Sequence, residues 1–380
     1  MNNIIIGGAW PYANGSLHIG HLAALLPGDV LARYFRAKGE RVFYVSGSDC
    51  HGTPITIRAK QENKTPAEIS EFYHNEFCDV FRKLGFSYDL YTKTTDERHK
   101  SFVTDFHKKL YESKYIEERT VKQAYCPTCQ QVLTDRLVVG TCPVCGKTAR
   151  GDQCDACGEI FDADSLINAK CFECDTPIVF NETTQIFLLI SKLKDELTEF
   201  LNSHPYWRKN AVAFTRRYID EGLRDRAITR DLNWGIDVPK EGYQDKKIYI
   251  WAENVLGYLS ATSVLCKEKN LDFKDVYEKT ADTIMCTAKI TFRSTQLFCR
   301  LFCLHTEKIC ICPMRLFQVN TLLLKVKKYP QVRIMQYGQK IWLMIAIPIP
   351  YGISLLQTVP KKEMRTFLSE SSKHRIIPSL

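Results

Sequence analysis

The sequence predicts an α/β fold built on a parallel sheet, and three observations near its start predict it. The apolar run Ile4-Ile5-Ile6 followed by Gly7-Gly8 reads as a strand entering a glycine-rich turn. Leu22, Leu25, Leu26 and Val30 then follow at helical spacing. Arg41-Val42-Phe43-Tyr44-Val45-Ser46 is a second β-rich run. Strand, helix, strand in so short a stretch is a βαβ unit, and ligands in such folds sit at the carboxyl ends of the strands.

A chain of 380 residues predicts two or three domains. Hydrophobic residues at 45% and charged residues at 25% are ordinary for a globular protein and set aside the disordered and fibrous classes. No stretch is long enough to span a membrane. Met1 to Ala9 has no basic residue and only a short apolar run, so no secretory signal is read there. The protein is therefore expected in the cytoplasm, with its 16 cysteines serving as metal ligands or buried thiols. The net charge of +9 is unevenly placed: the last 98 residues hold 15 Lys and Arg against Glu307, Glu363 and Glu370. A basic tail of that kind can bind nucleic acid.

The turn after the first strand reads Pro-Tyr-Ala-Asn-Gly-Ser-Leu-His-Ile-Gly-His from Pro11 to His21. Free backbone N–H groups and the positive dipole end of the following helix make this an anion site. His18 and His21, three apart, fall on one face of a helix, where imidazoles can donate to a phosphate gaining charge in a transition state. Gly20 between them leaves room for a flat base. This stretch resembles the His-Ile-Gly-His signature of class I aminoacyl-tRNA synthetases, and the flank Ala9-Trp10-Pro11-Tyr12-Ala13-Asn14-Gly15 looks like the methionyl-tRNA synthetase version. The resemblance runs from Met1 to about Thr283 and implies a Rossmann-like nucleotide-binding fold carrying an inserted zinc-knuckle domain. It divides the chain into residues 1–118 with the histidine motif, 119–180 with the knuckles, 181–283 with the rest of the insertion and the return to the catalytic fold, and 284–380.

The second strand ends in Gly47-Ser48-Asp49-Cys50-His51-Gly52-Thr53-Pro54, which puts Asp49 at the ligand edge. A carboxylate there can hold an amino group or a ribose hydroxyl; the resemblance implies the amino group of methionine. Thr65-Pro66-Ala67-Glu68 is a capping box with proline at the first helical position. Ile69, Phe72, Tyr73, Phe77, Val80, Phe81 and Leu84 follow at helical spacing. Glu97 to Tyr115 reads as a further helix with Phe102, Phe106 and Leu110 inward.

Between Cys126 and Cys174 stand four Cys-x-x-Cys pairs: Cys126/Cys129, Cys142/Cys145, Cys154/Cys157 and Cys171/Cys174. Two residues between thiols let both sulfurs turn towards one tetrahedral ion, so two pairs complete a structural zinc site and eight cysteines imply two zincs. Pro127, Pro143, Gly146 and Gly158 suit the tight turns of knuckles. The short gap between the inner pairs predicts nested pairing, with pairing of sequence neighbours as the rival. Closed four-thiolate sites give zinc a folding role.

Leu188 to Leu201 is again helical, and Arg216 to Arg230 reads as a charged helix. Arg230 stands in Ile228-Thr229-Arg230-Asp231-Leu232-Asn233-Trp234-Gly235, which resembles the family segment carrying an active-site arginine, and a guanidinium fork suits a triphosphate. Lys247-Ile248-Tyr249-Ile250-Trp251 reads as the returning strand, followed by a helix starting near Glu253. In the family Trp251 and Tyr258 face one cleft with Trp10 and Tyr12, as aromatic walls for the methionine thioether; Ala9 belongs to the same turn.

Beyond Ile284 the family pattern stops. No Lys-Met-Ser-Lys-Ser-type loop is visible, and Cys286, Cys299, Cys303, Cys310 and Cys312 show no metal spacing. Read one base earlier, freely chosen codons for Ala288 to Ser294 permit Gly-Lys-Asp-Asn-Ile-Pro-Phe, and those for Lys327 to Arg333 permit Lys-Lys-Ile-Ser-Thr-Ser-Lys. Both resemble family motifs in the right order, so a frameshift near Ile284 is expected, and with it a tail that is not a native fold. A basic extension binding RNA or a membrane surface is the rival, but Ile341 to Ile353 lacks the polar face of an interfacial helix.

The resemblance implies a cytoplasmic methionine–tRNA ligase: ATP-dependent formation of methionyl-adenylate with Mg²⁺, then transfer to tRNA. His18, His21 and Arg230 would act on the phosphates and Asp49 on the amino group. The chain itself is expected to make little aminoacyl-tRNA, because the triphosphate loop and the helical anticodon-binding domain are not visible. The alternatives are a non-catalytic zinc module that contacts RNA, and a class I synthetase for another apolar amino acid.

Overall fold

The computed structural model describes residues 2–133, 137–151, 154, 156–157, 159, 163–203, 209–278, 280–288, 314–319, 333–337, 340–344 and 356–359. The chain opens with β1 (Asn3–Gly8), α1 (Ile19–Ala37), β2 (Arg41–Ser48), α2 (Thr53–Glu62), α3 (Pro66–Lys83), β3 (Leu90–Lys93) and α4 (Glu97–Tyr111). The capping box forms at α3, where Thr65 accepts from the Glu68 N–H and Glu68 reaches back to the Thr65 N–H. Ile69, Tyr73, Phe77 and Phe81 of its apolar stripe are buried, whereas Phe72 lies off the stripe at 57% exposure. The Lys64 ammonium covers the Phe72 ring instead. α4 stops at Tyr111, capped at Glu112, four residues short of the expected end, because Ile116 already begins the next strand.

Beyond α4 come β4 (Ile116–Cys126), β5 (Gln131–Val132), β6 (Val138–Thr141), β7 (Thr148–Arg150), β8 (Ile167–Cys171) and β9 (Val179–Leu188). β4 and β9 form a long antiparallel ribbon from Ile116–Leu188 out to Tyr125–Val179. At its far end β6 sits between β7 and β8 in a small separate sheet. α5 (Lys194–Asn202) and α6 (Lys209–Asp220) follow. The charged helix expected to reach Arg230 ends at Asp220, since Gly222 takes a φ of 96° that no helix continues. The downstream arginines instead enter β10 (Arg226–Ala227), which adds to β9, and β11 (Thr229–Arg230).

β12 is only Lys247–Ile248 and pairs antiparallel with β11, so the segment read as the returning strand is a short hairpin arm. Its apolar run Ile248 to Trp251 passes directly into α7 (Ile250–Asn254). α8 (Gly257–Glu268) and α9 (Phe273–Glu278) lead to β13 (Thr280–Ala288), which is the strand that returns beside β1. The main sheet has the order β14-β13-β1-β2-β3 with β14 at Met314–Val319, and every adjacent pair is parallel. β15 (Arg333–Tyr337), β16 (Lys340–Met344) and β17 (Leu356–Val359) form an antiparallel sheet of their own. Most of residues 284–380, on which the non-native tail was expected, lies outside the described residues.

The sheet is covered on both faces. Ile4 and Ile6 turn towards Ala32 of α1 with Val42 and Tyr44. Ile5 turns the other way, with Phe43 and Val45, against Ala261, Leu265 and Cys266 of α8 and Val276 and Tyr277 of α9. Each fully buried isoleucine contributes about 1.5–3 kcal/mol, and a continuous apolar run of this kind is what a doubly covered parallel strand requires. The strand order reverses between β1 and β13, which makes the carboxyl end of β1 the switch point where ligands bind in such sheets. Among the described residues no helix is long and apolar enough to cross a membrane.

Candidate active site and metal centres

The turn after β1 is laced to the end of β2. The Ala13 N–H donates to the Asp49 carbonyl at 2.8 Å, and the Asp49 N–H donates to the Pro11 carbonyl at 2.9 Å, so Tyr12 and Asp49 form a parallel bridge. Ser46 Oγ donates to the Ala9 carbonyl at 3.0 Å. Two motifs far apart in the chain are thereby fixed at the switch point, and Ala9, Trp10 and Tyr12 share one edge with Asp49.

His18 and His21 meet, but not as two positions of one helix. His18 is the N-cap of α1 in an extended conformation, and only His21 lies inside the helix. Their rings stack with centroids 3.8 Å apart. His18 Nδ1 accepts from the Gly20 N–H at 3.1 Å, and His21 Nδ1 accepts from the His18 N–H at 3.2 Å. An accepting Nδ1 carries no proton, so each neutral ring carries its hydrogen on Nε2. Burial, then the neighbouring His18, push His21 down to about 4. With both Nδ1 atoms engaged as acceptors, the pair turns Nε2–H donors outward beside free helix N–H groups, an arrangement suited to an anion.

Asp49 is buried, with the half-buried Tyr12 bridged to it. Burial and then the Glu253 charge push the Asp49 carboxyl well above the usual range, against the His51 N–H and the Asn254 side chain. Burial and the Asp49 charge raise the Tyr12 phenol. Beside them the Trp10 indole is clasped by two glycines: a Cβ on Gly47 would lie 2.5 Å from its ring and one on Gly257 2.6 Å. Tyr258 meets the same indole edge-on at 6.2 Å. Trp251 is half-buried against the cluster that contains Trp10 and Tyr258. Of the four aromatics expected to form a wall, Trp10, Trp251 and Tyr258 thus share one apolar cluster, while Tyr12 meets Asp49 through its backbone bridge.

Arg230 lies on β11 with its guanidinium 4.2 Å over the Tyr249 ring. It donates to the carbonyls of Ala227 and Thr229 at 3.0 and 2.8 Å. Next to it Asp231 pairs with the buried Lys246, which also donates to Thr183, and this network pins β11 to β9. Arg230 is thus held on the Tyr249 ring, with its Nη1 donating to neighbouring backbone carbonyls.

Sequence reasoning missed the groups behind Asp49. Glu253 is fully buried, its Oε1 2.5 Å from His51 Nδ1 and 3.8 Å from His99 Nε2. The partners come from the end of β2, from α4 and from α7, and no local spacing announces them.

The eight cysteines form two groups, Cys126, Cys129, Cys171 and Cys174, and Cys142, Cys145, Cys154 and Cys157. This is the nested pairing. Across pairs the sulfurs stand 3.4 Å apart for Cys126 and Cys174, 3.9 Å for Cys129 and Cys171, 3.8 Å for Cys142 and Cys157, and 3.6 Å for Cys145 and Cys154. A tetrahedral zinc with bonds of about 2.3 Å holds its sulfurs about 3.8 Å apart, so both donor sets fit that ion. The knuckles share one local design. The N–H of Cys142, Cys154 and Cys171 donates to the carbonyl five residues on, of Lys147, Glu159 and Thr176. The residue after the second cysteine takes a left-handed φ in three of them, at Gln130, Gly146 and Asp175.

Residues 4–305 match the family model described as tRNA synthetases class I (M). The chain is 54% identical over 280 residues to methionine–tRNA ligase 1 of Alkaliphilus oremlandii, a match covering 73% of this chain and 52% of that protein. It is 51% identical over 284 residues to methionine–tRNA ligase of Bacillus mycoides, covering 74% of this chain and 52% of that one. The chain thus spans about half the length of the curated relatives it matches. The Mycobacterium tuberculosis methionyl-tRNA synthetase solved with methionyl-adenylate superposes with a TM-score of 0.64 at 18% identity, covering 84% of this chain and 57% of that one. That last likeness is one of fold.

Proposed function

This chain belongs to the class I tRNA synthetases, in their methionine group, and from that premise we propose that it carries the amino-acid-activating site of a methionine–tRNA ligase. The observation that carries the reading is the lacing of the Pro11–Ala13 turn to Asp49, which ties the segment leading to the His18 cap of α1 to a buried carboxyl at the sheet edge. In the proposed reaction an oxygen of the methionine carboxylate attacks the α-phosphorus of ATP. The bond from that phosphorus to the bridging oxygen breaks, pyrophosphate leaves with its Mg²⁺, and methionyl-adenylate remains. The acyl group then passes to a hydroxyl of the terminal ribose of tRNA, its bond to the phosphate oxygen breaks, and AMP leaves with the hydroxyl proton taken up by solvent.

The residues divide that work by chemistry. Asp49 takes the ammonium, and Trp10, Tyr12, Trp251 and Tyr258 enclose the thioether. His18 and His21 offer Nε2–H donors to the phosphates, and Gly20 leaves space beside them for the nucleotide. Arg230 serves the phosphates after turning its fork away from the backbone carbonyls. The two cysteine groups hold one structural zinc each and shape the inserted domain. Reduced thiols in closed knuckles suit a reducing compartment, and we place the protein in the cytoplasm.

Isothermal calorimetry on the purified chain tests the reading. Methionine should bind, leucine should bind at least about tenfold more weakly, and Asp49→Asn should abolish the methionine signal. The absence of methionine binding would overturn the proposal and leave the zinc-module reading. Because residues after Ile284 carry no lysine-rich triphosphate loop in this frame, ATP–pyrophosphate exchange should be slow even where methionine binds.

A further inference from the structure

Behind Asp49 lies a buried polar chain that the activation chemistry does not use. Glu253, on α7, is completely buried, and its Oε1 sits 2.5 Å from His51 Nδ1. The His51 backbone N–H in turn donates to Asp49 Oδ1 at 3.3 Å. His99, on α4, brings Nε2 to 3.8 Å from the same Glu253 oxygen, while its Nδ1 meets Ser260 Oγ at 2.8 Å. His51 is also fixed from the other side, edge-on to the Trp234 indole at 5.3 Å, and that indole donates to the Cys50 carbonyl at 2.8 Å. The segment Asp49 to His51 is therefore gripped at every residue, and the grip on its last side chain is Glu253.

We propose that Glu253 is a positioning residue for amino-acid binding, acting through His51 to aim the Asp49 carboxylate at the incoming ammonium. The inference rests on the proposed methionine site and adds to it a residue that never touches the ligand. A carboxylate buried beside a second carboxylate is costly unless it is paired. Here the pairing falls on Oε1, since Glu253 Oε2 has no hydrogen-bond partner among the described residues. Burial raises Glu253, and the charge and hydrogen bond of His51, with His99 behind, outweigh it and hold the carboxyl below the usual range. The remaining groups facing the two carboxyls are Tyr12 from the turn after β1, Cys50 after β2 and His107 from α4. Glu253 thus does two things to Asp49: it orders the loop that carries it and it sets a negative charge behind it.

Those two effects separate experimentally. The probes are methionine and 4-(methylthio)butanoate, which keeps the carboxylate and thioether but has no amino group, bound to the full chain across a pH series. Glu253→Ala should weaken methionine at least about tenfold while changing the deaminated probe less than about twofold. Glu253→Gln, near-isosteric and still able to accept from His51, should recover most methionine affinity. It should also let binding persist to lower pH, because a negative charge that raises Asp49 has gone. Equal losses for both probes in Glu253→Ala, or an unmoved pH midpoint in Glu253→Gln, would overturn the positioning role while the methionine site stands. A wild-type chain that binds neither probe would overturn the site and this inference with it.

Discussion

Gly257 and Trp10 are in contact across the width of the indole: a Cβ built on Gly257 would lie 2.6, 2.8 and 2.9 Å from three ring atoms of Trp10. On the opposite flank Gly47 would clash at 2.5 Å with the ring and at 2.7 Å with the Thr92 carbonyl. Neither glycine has a left-handed φ, so both are small for the sake of space.

Gly257→Ala should therefore displace the indole, cost about 1–3 kcal/mol of stability through overpacking and weaken methionine binding. Gly47→Ala should cost more, because the Thr92 backbone cannot swing aside as a side chain can. Gly15→Ala, where nothing lies within 4 Å of the added carbon, is the control and should leave binding unchanged. Chemical denaturation and methionine calorimetry on the three variants check this.

Metal analysis should find two zincs per chain. With nested pairing, Cys142→Ser and Cys157→Ser should each remove the inner ion and leave the outer one, while Cys126→Ser and Cys174→Ser should remove the outer ion. A cadmium-113 spectrum distinguishes the two sites. If Cys126→Ser and Cys142→Ser instead emptied the same site, the pairing described for the knuckles would be wrong. Chelation should unfold the inserted domain, since such small cores of Ala124, Leu133, Leu137, Val138, Ala149 and Leu166 depend on the ions they surround.

The parts of the fold legible in sequence are those whose cause is local. The Thr65–Glu68 box, the Cys-x-x-Cys pairs and the strand-turn-helix at Ile4 to Val30 each declare themselves within a few residues. Nested pairing was readable because the inner gap is short. The Arg216 to Arg230 run reads as one helix only if Gly222 within it is discounted, and the helix stops just ahead of that glycine. Lys247 to Trp251 misled because an apolar run of that length suits a strand and the start of a buried helix equally. Glu253, His99 and Gly257 carry no local signature at all: their roles come from partners on other elements, as with His51 more than two hundred positions upstream.

His107 makes folding pH-dependent. Its Nε2 lies 3.1 Å from the Ala252 carbonyl and its Nδ1 3.1 Å from the Tyr111 hydroxyl, and burial pushes the imidazole from 6.5 down to about 4. Between those values the unfolded chain binds a proton that the native chain refuses. Stability is complete above pH 6.5 and is lost as the pH falls towards 4, by about 3 kcal/mol from this residue. His21 and His74 are lowered to about 4 as well and add to the slope. Urea unfolding at about pH 7.5 and about pH 5 should show the loss, and His107→Gln should flatten it.

The frameshift read near Ile284 predicts that resequencing the codons for Asp282 to Ser294 will reveal one extra or missing base. The expressed protein should then differ in intact mass from 43.8 kDa. A confirmed sequence together with a mass of 43.8 kDa would instead make the product a truncated copy, expected to make little aminoacyl-tRNA.

The neighbour that completes the centre of the sheet arrives very late. Asn3 pairs with Arg41 on one side but with Thr280 on the other. At translation speeds of about 5–20 residues per second, roughly 12–48 s separate the emergence of those two partners from the ribosome. Through that interval the Ile4 to Ile6 strand of the nascent chain presents one unpaired, strongly apolar edge. The zinc knuckles, closed by contacts within their own stretch, can form meanwhile. Synthesis of this protein is thus a race in which an early strand must be kept from foreign edges until its own late partner is made.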